Sequence, residues 1–449
     1  MSEPEVSRRE GGLELPTRHP VEWQAPDFGD ENSLNAELER VFDICHGCRR
    51  CFNLCHTFPT LFDVVDESKT GEIDSVPKEA YWNIVDHCYL CDMCFMTKCP
   101  YVPPHEWNVD FPHLMLRAKA KQFKSSKTRF RNKLLSATET VGKLASIPVV
   151  RQVTNTINAS TAGRRLLRGG LGIHSEAPLP KYHPSTSQAR LKKNIESDGG
   201  LEAEPTDKTK GRLLIFLTCY GKHNQPELLK DLVAILKHNS IPVAIASQEA
   251  CCGMPKLELG DLETVEHFKN SNIEELYGWV SDGWDLVAPI PSCVLMFKRE
   301  LPLLFSEDER VKAVAEAFFD PFEYLMYRHQ EGKLNVNFEK SLGKISYQVP
   351  CHLRVQNLGL KTKEILELVP DTTVEAIERC SGHDGTYAVK DEYYEIARKI
   401  AGPVVRKVDS SDAEHFTSDC PMAAKMIASL AASAKGTHPI QLLRYAYGI

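Results

Sequence analysis

The residues richest in chemistry are cysteines gathered in two short runs. Cys45-His46-Gly47-Cys48-Arg49-Arg50-Cys51 leads on to Cys55, and Cys88-Tyr89-Leu90-Cys91-Asp92-Met93-Cys94 leads on to Cys99-Pro100. Three cysteines at every third position can wrap one face of a cubic iron–sulfur cluster, while the more distant fourth completes a neighbouring cube. This spacing predicts one [4Fe–4S] cluster on Cys45, Cys48, Cys51 and Cys99, and a second on Cys88, Cys91, Cys94 and Cys55. Zinc is the competing reading, because paired C-x-x-C units also form tetrahedral zinc sites. A zinc site has no use for a third cysteine at the same spacing, repeated in both runs. Two details depart from the usual iron–sulfur pattern: one extra residue precedes Cys99, and His56 rather than proline follows Cys55.

Helices are expected to deliver the chain into both runs. Ser33 reads as an N-cap for a helix from Leu34 to Ile44, with Leu34, Leu38, Val41 and Phe42 on its apolar face. Pro77 opens a second stretch, Glu79 to Val85, that enters Cys88. With no strand pattern between them, residues 34–116 are expected to form an all-α ferredoxin module after an extended arm over 1–33. Arg49 and Arg50 either tune cluster charge and meet a partner, or line a solvated loop.

Bulk properties narrow the class. A chain of 449 residues implies two to four domains. A net charge of −7 with 42% apolar residues argues against general nucleic-acid binding. No apolar run approaches the ~20 residues of a membrane helix. The segment Met1-Ser2-Glu3-Pro4-Glu5 is acidic without an apolar core, so a secretory signal is not expected. Fifteen cysteines in such a chain point to metal or redox chemistry in a reducing cytoplasm.

From Arg117 to Arg168 thirteen lysines and arginines are answered by Glu139 alone, with Leu134, Leu135, Val141, Leu144 and Val149 interleaved. This helical segment is either a docking face for an acidic partner or anionic lipid headgroups, or a solvated linker helix. Residues 174–209, rich in Pro, Ser and Gly, complete a basic segment and flexible linker over 117–209.

The remainder, 210–449, reads as a duplicated α/β unit with halves 210–335 and 340–449. Apolar strand runs at 212–218, 242–246 and 286–290 lead to Cys219, to Cys251-Cys252-Gly253 and to Cys293. Runs at 344–349, 373–377 and 415–417 then lead to Cys351, Cys380 and Cys420. Matched cysteines lie 132, 129 and 127 residues apart, which is the signature of an internal repeat. Alternating strands and helices imply mostly parallel sheets, whose strand ends form the usual crevice for a site.

Two ferredoxin-like runs followed by Cys…Cys-Cys-Gly…Cys halves resemble the iron–sulfur subunits of anaerobic glycerol-3-phosphate dehydrogenase and of heterodisulfide reductase, the CCG cysteine-rich family. Pro350-Cys351-His352-Leu353-Arg354 and Cys380-Ser381-Gly382-His383-Asp384-Gly385-Thr386-Tyr387 resemble the second-half segments of that family. The resemblance implies five cysteines per complete half, Cys…Cys-Cys-Gly…Cys-x-x-Cys, around an unusual four-iron cluster. Here the first half offers Cys219, Cys251, Cys252 and Cys293, with Met296 in the fifth place. The second offers only Cys351, Cys380 and Cys420, with Ser381 and Ala423 in the missing places. One metal site, holding a third cluster or zinc, is therefore expected in the first half. Three sulfurs in the second half would leave an open coordination position or hold no cluster at all, and His352 and His383 are read as hydrogen-bonding residues, with supply of a ligating nitrogen as the alternative.

The function this implies is an electron-transfer component of an oxidoreductase rather than a stand-alone enzyme. It would relay electrons between a dehydrogenase-type partner and a quinone or other acceptor, in the cytoplasm or peripherally on the inner face of the membrane. The alternatives are a reductase acting at the carboxy-terminal cluster, and a ferredoxin fused to a zinc-stabilised interaction module. Gly169-Gly170-Leu171-Gly172 follows no strand and opens no helix, so it fails as a nucleotide fingerprint.

Overall fold

A computed structural model describes residues 16–97, 99–184, 191–193, 195, 201–247, 249–432 and 434–449. Residues 1–15 of the arm expected over 1–33, and Ser185, Gly199 and Gly200 of the expected linker, lie outside the described residues.

The amino-terminal part is helical. Helix α1 spans Glu31–Cys48, α2 Thr57–Asp66, α3 Tyr81–Asp86, α4 Met93–Thr97 and α5 Phe111–Lys124. The N-cap of α1 is Asp30, whose carboxylate accepts from the Ser33 backbone N–H, so the helix starts three residues before the expected Leu34. Its far end runs on through Cys45 and Cys48, and Arg49 stops it in a left-handed conformation at φ 53°. Leu34, Leu38, Val41 and Phe42 are fully buried, as the apolar face predicted. Four further helices form the basic segment: α6 Phe130–Ser136, α7 Thr138–Ala145, α8 Pro148–Ala159 and α9 Thr161–Leu171.

Two four-stranded parallel sheets follow. Strands β1 Leu213–Ile215, β2 Val243–Ile245, β3 Asp285–Val287 and β4 Phe318–Phe319 line up in the order β2-β1-β3-β4. Strands β5 Gly343–Gln348, β6 Thr372–Ile377, β7 His415–Thr417 and β8 Gly436–Thr437 repeat that arrangement as β6-β5-β7-β8. Pairing is in register, Leu213 opposite both Val243 and Asp285, and Ile345 opposite both Val374 and His415. Helices cover the sheets, which explains why β1 reads as an uninterrupted apolar run instead of alternating. An order repeated strand for strand bears out the duplication. The fourth strand of each half is two residues long, too short to leave a periodic trace in the sequence.

The parts interlock. The last helix, Pro439–Tyr447, packs against the first-half helix Pro226–His238, where Arg444 pairs with Asp231. The described end of the amino-terminal arm is pinned as well. Val21 N–H donates to Leu303 O at 2.8 Å, and the Trp23 indole donates to Leu304 O at 3.2 Å. Segment 174–184 has no regular helix, yet the buried Arg164 guanidinium donates to the carbonyls of His174, Ser175 and Ala177.

Candidate metal centres

The cysteines of the two runs converge from separate elements. Cys45 and Cys48 occupy the last turn of α1, Cys51 lies in the turn after it, and Cys99 follows α4. All four line one recess walled by Phe58, Phe62, Tyr101 and Val109. Burial pushes the Cys45 thiol well above its ordinary value, and the neighbouring sulfurs of Cys99, Cys51 and Cys48 add to the shift. Tyr101 and Val102 backbone N–H groups donate to Cys99.

The second set forms beside the first. Cys88 follows α3, Cys91 sits between Leu90 and Asp92, both in left-handed conformations, and Cys94 lies in α4. Cys55 precedes α2, and the backbone N–H groups of Thr57 and Phe58 in its first turn point at the sulfur. Burial raises the Cys88 thiol to about 12, against the opposing pull of the Lys119 ammonium. The fully buried Thr57 hydroxyl meets no geometric hydrogen-bond partner among the described residues, and the Cys55 sulfur is the group it faces.

In the first half, every cysteine stands just beyond the carboxy-terminal end of a parallel strand. Cys219 opens the helix Cys219–His223 after β1, Cys251 and Cys252 follow β2, and Cys293 lies in Pro291–Leu295 after β3. Their sulfurs gather: Cys219 and Cys251 are 3.9 Å apart, and Cys251, Cys252 and Cys293 lie close enough to shift one another's thiols. Gly253 follows at φ 100°, a backbone that glycine alone adopts cheaply, so the glycine of the Cys-Cys-Gly motif sets the turn.

Sequence reasoning missed what covers this site. Helix α7 lies over it, with the Thr138 hydroxyl 3.4 Å from the Cys219 sulfur and 3.8 Å from that of Cys251. The buried Glu139 carboxylate accepts from the Cys251 backbone N–H and pairs with Lys143 at 2.7 Å. Such close packing needs Gly142, where any Cβ would collide with the His223 ring. The one available signal was Glu139 itself, the lone acid in a long basic run.

The second half mirrors the first with fewer sulfurs. Cys351, Cys380 and Cys420 follow β5, β6 and β7, and the Met422 and Ala423 N–H groups point at Cys420. Asp384, given no role by the sequence expectation, holds both carboxylate oxygens 3.8 Å from the Cys380 sulfur. Burial raises that carboxyl to about 6. His352 Nδ1 bonds the Ser292 hydroxyl at 2.8 Å, joining the halves beside Cys293. Its Nε2, like that of His383, is buried with no hydrogen-bond partner among the described residues. This half also abuts the second cysteine set, since Cys351 raises Cys91 and Cys55 raises Cys380.

These donors fit iron–sulfur chemistry. All fifteen cysteines are free. Buried thiols that raise one another are poor thiolates until a cation joins them. A four-iron cluster would spread its four thiolates over the corners of a cube.

The site and sheets define a class: a helical cysteine-rich module joined to paired α/β cysteine-rich domains. Residues 213–298 and 345–427 match the CCG cysteine-rich domain family, one match in each half. Over 343 residues the chain is 27% identical to a subunit of the anaerobic glycerol-3-phosphate dehydrogenase of Escherichia coli (strain K12), covering 76% of this chain and 82% of that protein. It is 24% identical over 205 residues to a subunit of the fumarate reductase (CoM/CoB) of Methanothermobacter marburgensis, covering 44% and 38%. An iron–sulfur protein of Methanococcus maripaludis is 24% identical over 296 residues, covering 60% and 56%. The resemblance read from the cysteine motifs is thereby borne out.

Proposed function

We propose that the chain is an iron–sulfur electron-transfer subunit, relaying electrons between a dehydrogenase-type partner and a quinone or other acceptor. Cys45, Cys48, Cys51 and Cys99 hold one [4Fe–4S] cluster, and Cys88, Cys91, Cys94 and Cys55 hold the other. Cys219, Cys251, Cys252 and Cys293 hold a further metal centre, a third cluster or zinc. The observation that carries the reading is the recess that gathers Cys45, Cys48, Cys51 and Cys99 from two separated runs. When bound, the clusters supply one-electron transfer. The protein's residues hold the sulfurs, aim backbone N–H groups at them and exclude water with Phe58, Phe62 and Tyr101, the levers that set a reduction potential. The electrostatic influence of Cys351 on Cys91 supports a relay that extends toward the carboxy-terminal domains.

The similar proteins are subunits of a dehydrogenase and a reductase, which supports a redox partner, and one exposed surface supports attachment to a membrane. Leu144, Ile147, Val149, Val153 and Leu166 on and between α7, α8 and α9 are exposed, with Lys143, Arg165 and Arg168 beside them in the chain. Aliphatic residues among cations suit an anionic bilayer interface. Among the described residues no helix is long and apolar enough to cross a membrane.

Paramagnetic resonance during reductive titration tests the ligand assignment. Cys99→Ala is expected to remove one cubane signal and Cys55→Ala the other. A variant that removes both signals or neither contradicts the assignment.

A further inference from the structure

A cavity of about 100 Å³ opens between α5, the Lys127–Ser136 stretch, the turn Pro255–Leu259 and the second-half segment Thr386–Tyr393. Lys119 lines it from α5 and is 8% exposed. Its ammonium lies 4.8 Å from the Tyr89 ring centroid, and among the described residues it makes no hydrogen bond or ion pair. A buried ammonium normally pairs, because desolvation otherwise opposes its charge, and burial indeed lowers this one. The neighbouring cations are engaged: Lys390 donates to the Tyr89 hydroxyl, and Arg131 pairs with Glu392. Burial raises Glu258, and the Lys119 charge opposes that shift. The wall carries three acids, Asp86, Glu258 and Glu392, against five cations, Lys119, Lys127, Arg129, Arg131 and Lys390. The wall therefore presents an excess of positive charge together with the Thr386 hydroxyl.

We propose that this cavity binds a small oxyanion, a carboxylate or phosphate, with Lys119 as its counter-charge. The volume suits a few non-hydrogen atoms, and a charge-assisted bond to a desolvated ammonium is among the stronger polar contacts. The site lies against Cys88, which Lys119 also influences, so an occupant sits within electrostatic reach of the second cysteine set. The titration reads anion binding and the paramagnetic signals read cluster ligation, so failure of one claim is distinguishable from failure of the other.

Calorimetric titration of the full chain with sodium phosphate, and separately with sodium acetate, tests it. The expected result is saturable binding of one anion per chain, weakened about tenfold or more in Lys119→Gln and kept within a few-fold in Lys119→Arg. Phosphate saturating where acetate does not identifies a phosphate-bearing ligand, and the reverse identifies a carboxylate. Should Lys119→Gln not fold, Thr386→Val, which removes a hydroxyl from the same wall, is expected to weaken binding severalfold. Saturation by neither anion, or binding that the foldable variant leaves unchanged, overturns the proposal.

Discussion

Removing Arg18 should unsettle the joint between the helical module and the first cysteine-rich domain. Its guanidinium meets Asp92 at 2.6 Å, Asp110 at 2.8 Å and Glu300 at 3.5 Å, and lies 4.5 Å from the Phe95 ring. The side chains of Asp92 and Glu300 are each only 5% exposed. Arg18→Met keeps the apolar stem and leaves two buried carboxylates without their shared cation. Breaking a buried pair from one side costs about 3–5 kcal/mol, because the orphaned charge stays desolvated. Arg18→Lys keeps the charge but loses the planar fork that serves three carboxylates, so it should recover only part of that loss. Urea unfolding of the full chain at neutral pH, comparing midpoints at equal slope, reads the difference. A loss for Arg18→Met below about 0.5 kcal/mol, the range of a surface substitution, would refute the reasoning.

The same cluster carries a pH signature. Burial alone would lower His113, but the Asp110 charge and hydrogen bonds to Asp110 and Glu300 outweigh it and raise the imidazole to about 9. A folded value above the unfolded 6.5 contributes fully below pH 6.5 and is lost as pH rises through about 9. At about 1.4 kcal/mol per unit this is roughly 3 kcal/mol, so stability should fall across that window in the wild type and fall less in His113→Asn. Gly142→Ala should push α7 off the helix Cys219–His223, cost about 1–3 kcal/mol and loosen the Thr138 contact with Cys219, visible as faster thiol labelling there. Val149→Glu with Val153→Glu should weaken flotation with anionic liposomes by about tenfold or more, while equal flotation would exclude this face as the membrane contact.

Much of the fold was legible because its signals are local. Leu213-Leu214-Ile215 and Thr372–Ile377 read as strands from their own residues, and a cysteine follows each within a short turn. Spacing within each run likewise announced three sulfurs of each cluster set. What escaped depends on distance. Thr138 and Glu139 meet Cys251 from 113 and 112 residues away, and Arg18 meets Glu300 from 282 away. Nothing local to a basic helix or a polar arm encodes such contacts. The start of α1 was displaced for another reason: Asp30 and Ser33 are both good caps, and only the observed bond of Asp30 to the Ser33 N–H decides between them. Asp384 was passed over because the family pattern directs attention to the missing sulfurs at Ser381 and Ala423, not to a carboxylate four residues beyond Cys380.

The most direct measurement is the iron and acid-labile sulfide content of the anaerobically purified full chain. Two four-iron clusters predict about eight of each per chain, and about twelve if the Cys219, Cys251, Cys252 and Cys293 set also holds a cluster instead of zinc. Fewer than about eight after careful reconstitution, or zinc in place of iron at the first two sets, would contradict the account.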